Sequence, residues 1–219
     1  MDTSTLSNQE NHWENTFESN SNMFGKTNST SAQRAVEIFK KEDKFNILEL
    51  GSGQGRDTLF FAKEGLRVQA LDYSQKGIDS ILKKSKEENL SDYIKANVHD
   101  IRKPLPFKDN TFDSCYSHML YCMALTTCEL EFLSSEIRRV LKPNGLNIYT
   151  VRNTKDPHYK NGIHRGEDMY EVSGFIVHFF SKEKIELLSK GYKIIDIEEF
   201  EESALPKRLS RVIMKKFYN

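Results

Sequence analysis

At 219 residues, with 11% aromatic and 37% hydrophobic side chains, the chain has the size and composition of one globular domain able to bury a substantial core. Lys plus Arg equals Asp plus Glu at 32 each, so no global field exists to hold nucleic acid or a polyanion, and no nucleic-acid partner is expected. No apolar run is long enough to cross a bilayer, and the polar N-terminus lacks the basic start and apolar stretch of a secretion signal, which predicts a cytoplasmic protein with no membrane partner.

Residues 1–10 are polar and read as a frayed terminus. Trp13, Phe17, Met23 and Phe24 then place apolar surface in an Asn/Ser-rich stretch, so residues 1–30 either cover an edge of the core or form a lid over a ligand. A serine cap and helical apolar spacing predict a helix over 31–40. Phe45-Asn46-Ile47-Leu48-Glu49-Leu50 reads as a buried strand, and 56–64 as a helix closed by Gly65. Between them lies Gly51-Ser52-Gly53-Gln54-Gly55, a turn that can bend tightly, approach a ligand closely and aim backbone N–H groups at it.

A second strand over 67–72 ends at Asp72. The helix over 75–88 takes Ile78, Ile81 and Leu82 as its buried stripe and Lys83-Lys84-Ser85-Lys86 as its wet face. A third strand over 94–99 runs into Asp100, with a short helix or turn after it, and a fourth spans 112–118. Leu130, Leu133, Ile137, Val140 and Leu141 share one side of a helix over 128–142, which leads to a fifth strand over 146–152. Such alternation implies right-handed crossovers and a mainly parallel sheet covered on both faces. Cys115, Cys122 and Cys128 are an odd number without a CxxC, and are expected to be buried free thiols.

After Arg152 the pattern loosens, and the aromatic, histidine and arginine content of 153–174 marks an irregular functional segment, part of a substrate-side insert over 153–180 in a single domain spanning 31–219. Order returns with Phe175–Phe180, a helix over 181–190 closed by Gly191, and strands over 192–197 and 209–215.

Gly51-x-Gly53-x-Gly55 preceded by Glu49 resembles the E/D-x-G-x-G-x-G loop of class I S-adenosylmethionine-dependent methyltransferases. Asn97-Val98-His99-Asp100-Ile101 matches the acid that ends strand three in that family. Pro104-Leu105-Pro106-Phe107-Lys108-Asp109-Asn110-Thr111-Phe112-Asp113 matches its run into strand four. Arg138-Arg139-Val140-Leu141-Lys142-Pro143-Asn144-Gly145 matches its turn into strand five, with Asn144 replacing a glycine at a place where positive φ is tolerated.

The resemblance spans residues 45–152 and implies a Rossmann-like doubly wound α/β sheet of about seven strands, mainly parallel, the last strand antiparallel beside strand five. It implies S-adenosylmethionine as cofactor, bound by Glu49, Gly51, Ser52, Gly53, Gln54, Gly55, Asp72, Tyr73, Asp100, Ile101 and Ser117. In the family pattern the third-strand acid faces the adenine amine and the next N–H meets a ring nitrogen. A nicotinamide fold would carry G-x-G-x-x-G with an acid about twenty residues on. Asp72 suits either cofactor, whereas the glycine spacing and Asp100 disfavour an oxidoreductase; that enzyme and a non-catalytic S-adenosylmethionine-binding module are the alternatives.

Methyl transfer from a sulfonium is an in-line substitution, so positioning and water exclusion matter more than a dedicated base. The doubly wound rule puts residues 117–122 near the transferred methyl. His118 is there a candidate general base, and Tyr121 a candidate to pack against the sulfonium. The family's nucleic-acid branch carries an Asn-Pro-Pro-Tyr-like run at this place, and this chain does not. Trp13, Tyr159, His164, Arg165 and His178 are the expected substrate residues, Arg165 being suited to a carboxylate or phosphate. No H-E-x-x-H, paired carboxylate or Cys/His spacing points to a metal. The expected activity is methyl transfer to a small-molecule acceptor.

Overall fold

A computed structural model describes residues 3–20, 23, 25, 27–202 and 207–218, with side chains from residue 8 onward; Phe24 of the expected lid lies outside these. In chain order the elements are α1 (Thr3–Ser19), α2 (Thr30–Lys41), β1 (Asn46–Leu50), α3 (Arg56–Lys63), β2 (Arg67–Asp72), α4 (Gln75–Glu87), β3 (Ile94–Val98) and β4 (Phe112–His118). Then follow α5 (Thr127–Val140), β5 (Leu141–Arg152), β6 (Ile163–His164), β7 (Met169–Val172), β8 (Phe175–His178), α6 (Lys182–Leu188), β9 (Tyr192–Glu202) and β10 (Lys207–Lys216). Seven strands form one sheet in the order β3-β2-β1-β4-β5-β10-β9. β1 to β5 pair in parallel and β10 runs antiparallel beside β5, as the resemblance implies; β10 also pairs antiparallel with β9 at the sheet edge.

Neighbouring residues on a strand face opposite ways, which sorts the apolar side chains into two layers. Cys115, Tyr149 and Val151 join α5 and α6, while Tyr116, Ile148 and Ile47 join α2, α3 and α4. The helices begin where caps allow: Ser29 accepts from Ala32 N at 3.0 Å, and Thr126 and Glu129 form a reciprocal capping box at α5. Asn144 does take positive φ, at 59°. Among the described residues no helix is long and apolar enough to cross a membrane.

Four local expectations need correction. The N-terminal segment is a helix from Thr3 rather than a frayed end, because its polar side chains bond to other elements. The segment over 153–174 contains two short strands, β6 and β7, which form a small antiparallel sheet with β8 through a tight turn at Ser173 and Gly174, both at positive φ. On α4, Leu82 is exposed and Ser85 is buried, while Lys84 reaches back to the Gln54 carbonyl at 3.1 Å. Cys128 is exposed at the start of α5, although Cys115 and Cys122 are buried.

Candidate active site

β1 delivers the chain into the glycine loop, where Gly51, Gly53 and Gly55 all take positive φ. At Gly55, φ is 85°, and a Cβ would stand 2.5 Å from Ile81 Cγ1, so both torsion and packing demand glycine. Four loop amides donate inside the protein: Gly51 and Ser52 to the Leu71 carbonyl, Gly55 to that of Ser52, and Gly53 to Asp72 Oδ2 at 2.8 Å. A pyrophosphate would need such N–H groups free. The acids Glu49, Asp57 and Asp72 also line this end of the cleft, which suits a cation better than a pyrophosphate.

These acids differ. Burial pushes the Glu49 carboxyl up to about 8 despite its 2.6 Å bond from the Thr58 hydroxyl. Burial also raises Asp72, against the N–H groups of Ser74 and Gly53. For Asp57, burial acts upward but is outweighed by Arg56, His118 and the Ser29 N–H and hydroxyl, which hold it below the ordinary carboxylate range. Ser52 Oγ is buried on the cleft wall without a partner among the described residues, a polar atom a ligand could satisfy.

The cleft measures about 660 Å³, within the range of small-molecule sites. Beside it a compact recess is lined by Tyr73, Asp100, Ile101, Arg102 and Trp13. Asp100 receives Arg102 through Nε at 2.9 Å and Nη2 at 3.0 Å. Burial tends to raise Asp100, but this pairing holds it below its ordinary value. Aromatic and apolar walls with one fixed acid suit adenine, and the acid-lined loop suits a sulfonium and an ammonium. The donor set therefore matches S-adenosylmethionine.

At the end of β4, His118 is held on both nitrogens, by Thr150 Oγ1 at 2.9 Å from Nδ1 and by Glu202 Oε2 at 3.0 Å from Nε2. Thr150 Oγ1 also accepts from Met119 N at 2.9 Å, which ties this hydroxyl to the turn after β4. Burial acts to raise Glu202, yet His118 holds it below the usual carboxylate range. Met119 has φ 61°, and the chain turns there. Consequently His118, Met119 and Leu120 line the cleft, whereas Tyr121 turns into the core, stacked on Tyr149 at 4.2 Å and accepting from Asn147 Nδ2. Tyr121 is thus placed away from a sulfonium. Ser117 is likewise fully buried, and it does not line the cleft.

The roof comes from α1. Trp13 packs against Phe17 and Phe175, with ring centroids 5.5 and 4.8 Å away. Gln9 clips onto the β7–β8 turn, donating to Gly174 O at 3.0 Å and accepting from Ile176 N at 3.2 Å. Glu14 accepts from Lys76 N at 3.1 Å and from the Ser74 hydroxyl at the α4 N-terminus, where the helix dipole favours an acid. Gln54 joins the glycine loop to the same roof: Nε2 donates to the Asn20 carbonyl at 2.8 Å and Phe17 carbonyl at 3.3 Å, and Oε1 accepts from Met23 N.

Of the residues expected to meet substrate, Trp13 lines the cleft and the other four lie outside it. Tyr159 bonds to Asp168, His164 is exposed against Tyr170, Arg165 pairs with Glu171, and His178 is buried between Leu125 O and Lys184. Arg152, His158, Glu202 and Lys207 line that end of the cleft instead. The end of β5 was a readable signal for Arg152, since ligands gather at the carboxyl ends of parallel strands. Nothing local marks Lys207.

Residues 47–145 match the model of a family described as a methyltransferase domain. Over 102 residues the chain is 41% identical to phosphoethanolamine N-methyltransferase 1 of Triticum aestivum, covering 45% of this chain and 20% of that protein. It is 35% identical over 101 residues to a sterol 24-C-methyltransferase of Gibberella zeae, covering 46% of this chain and 26% of the relative. The chain thus spans about a fifth to a quarter of the length of these two relatives. Among solved structures, a SAM-dependent methyltransferase of Methanosarcina mazei superposes with a TM-score of 0.70 at 18% identity, covering 80% of this chain and 94% of that one. Residues 47–145, which carry the glycine loop, Asp72 at the end of β2 and Asp100 just after β3, thus match a methyltransferase domain, and the sheet with its antiparallel β10 shares the fold of the Methanosarcina mazei methyltransferase.

Proposed function

We propose that the protein transfers the methyl group of S-adenosylmethionine to a nucleophilic atom of a small molecule, beneath a lid formed by α1 and the β7–β8 turn. The observation that carries this reading is a single roofed cleft running from the glycine loop to His118 and Arg152, with the Asp100 recess at its other end. A roof at Trp13 and Phe175 leaves room for a metabolite rather than a polymer, in keeping with a small-molecule acceptor and no nucleic-acid partner. The names of the wheat and Gibberella relatives, a phosphoethanolamine and a sterol methyltransferase, also support a small acceptor. The free thiols suit a cytoplasmic setting.

In this reading Asp100 and the Ile101 N–H would hold adenine, Tyr73 would pack against it, and Asp72 would take the ribose hydroxyls with lone pairs left over from Gly53 and Ser74. Glu49, Ser52 and Gln54 line the methionine end. When bound, the cofactor supplies an electrophilic methyl group. The chain aligns the acceptor with that carbon and excludes water by closing Trp13 over it. Thr150 and Glu202 engage both nitrogens of His118, so the Glu202 carboxylate it positions on the cleft wall takes the N–H or O–H of the acceptor and the proton it gives up.

The test is direct. Calorimetry should find saturable binding of S-adenosylmethionine and none of a nicotinamide dinucleotide, and a methyl-release screen over amines, thiols, carboxylates and hydroxyls should find a turned-over acceptor. His118→Ala should then lower turnover and leave cofactor affinity within about threefold, roughly 0.7 kcal/mol. Tight cofactor binding without release on any acceptor would favour the non-catalytic module.

A further inference from the structure

The sheet order sets out the ligand edge residue by residue. Asp100 follows β3, Asp72 ends β2, the glycine loop follows β1, His118 ends β4 and Arg152 ends β5. β10 enters beside β5 from the same edge, since Leu209 is the register partner of Arg152 and Lys207 lies two residues before it. With the cofactor over β3, β2 and β1, the acceptor occupies the stretch over β4, β5 and β10; this step rests on the methyl-transfer reading.

That stretch carries three cationic or ionisable donors on the cleft wall, Arg152, His158 and Lys207. One fully buried carboxylate organises them. Asp156 accepts from Arg152 Nε at 2.9 Å and Nη2 at 2.5 Å, from His158 N at 2.9 Å and from Arg208 N at 3.0 Å, tying together the end of β5, the following loop and the start of β10. Arg152 also lies over the Phe179 ring at 5.2 Å, so its guanidinium is oriented before any ligand arrives. Among the described residues its Nη1 makes no hydrogen bond.

The position of Lys207 supplies the second argument. Its register partner across the hairpin is Glu202, and opposite charges so placed ordinarily pair. Here Glu202 turns to His118. Lys207 is left without a carboxylate among the described residues, and the intervening residues 203–206 are Ser-Ala-Leu-Pro and contain no acid. The His158 ring is likewise without a hydrogen-bond partner among the described residues. Asp156 is taken by Arg152 and Glu202 by His118, so Lys207 and the His158 ring are the donors at this end left without a side-chain partner among the described residues.

We propose that the methyl acceptor carries an anionic group, a carboxylate or a phosphate monoester, which Arg152, His158 and Lys207 grip while the nucleophile faces His118. A preoriented guanidinium, an unpaired ammonium and an imidazole converging on one cavity wall are the donors such a group needs.

The experiment uses the full chain saturated with S-adenosylhomocysteine and titrates inorganic phosphate and acetate separately by calorimetry. Saturable binding of phosphate identifies a phosphate monoester site, and binding of acetate alone a carboxylate site. Lys207→Ala should weaken the bound ion about tenfold or more, and Lys207→Glu should abolish its binding; His158→Ala should weaken it less. Thermal melts check that each variant is folded, and S-adenosylhomocysteine affinity should stay within about twofold of wild type. If wild-type protein binds the cofactor product normally but neither ion, or if Lys207→Glu binds the ions as well as wild type does, the anion site is wrong and the methyltransferase reading stands. Failure to bind the cofactor product overturns the methyltransferase reading and the anion site with it.

Discussion

Glu49 is the residue where local chemistry is most exposed to test. Its carboxyl is buried and raised to about 8, so the protonated form is the one the folded protein favours. Its contribution to stability is therefore complete below the ordinary 4.5 and is lost as pH rises through about 8. Glu49→Gln should gain on wild type in urea-unfolding stability between pH 5 and pH 8 in the absence of ligand; parallel pH profiles would show that Glu49 is ionised throughout. Asp72 carries two tasks, since it also accepts from Gly53 and Ser74. Asp72→Ala should weaken S-adenosylmethionine by about 1.5–3 kcal/mol and also lower the urea midpoint, which Asp72→Asn should do less. The glycines and terminal acids were legible because each is fixed by its own strand-to-helix turn. Tyr121 was not, because a single positive φ at Met119 decides which side chains after β4 face the cleft.

Among the elements, α1 shows how a polar sequence becomes structure. Its anchors are Gln9 on the β7–β8 turn and Glu14 on the α4 N-terminus, interactions made with segments 60 or more residues away and invisible to periodicity. The paired change Gln9→Ala and Glu14→Ala should speed amide exchange through α1 while leaving the strands of the large sheet protected; unchanged exchange in α1 would mean that other contacts hold the roof. Trp13 borders both the recess at Asp100 and the larger cleft, so Trp13→Ala should reduce cofactor affinity as well as turnover. Arg165→Ala should alter neither, because its guanidinium is engaged by Glu171 outside the cleft. The insert read as irregular because its strands are two and four residues long, too short for alternation to register.

At the scale of the whole molecule, both apolar layers share the central strands, so unfolding should be one cooperative transition. Cofactor at a hundredfold excess over its dissociation constant should add about 2.7 kcal/mol, raising the melting midpoint by roughly 5–10 °C for a domain of this size. Two resolved transitions, only one of them ligand-sensitive, would mean that the layers melt separately. Alternating strands and helices made the doubly wound sheet legible, whereas the Arg152, Asp156 and Lys207 grouping joins positions about fifty residues apart that meet only because β10 enters beside β5. Gln54 adds a consequence for timing. One amide side chain belongs to the loop beneath the cofactor and bonds to the carbonyls that end α1. Each opening of the roof must break those bonds, so under the proposed methyl transfer the helix's closed time bounds how soon the spent cofactor can leave.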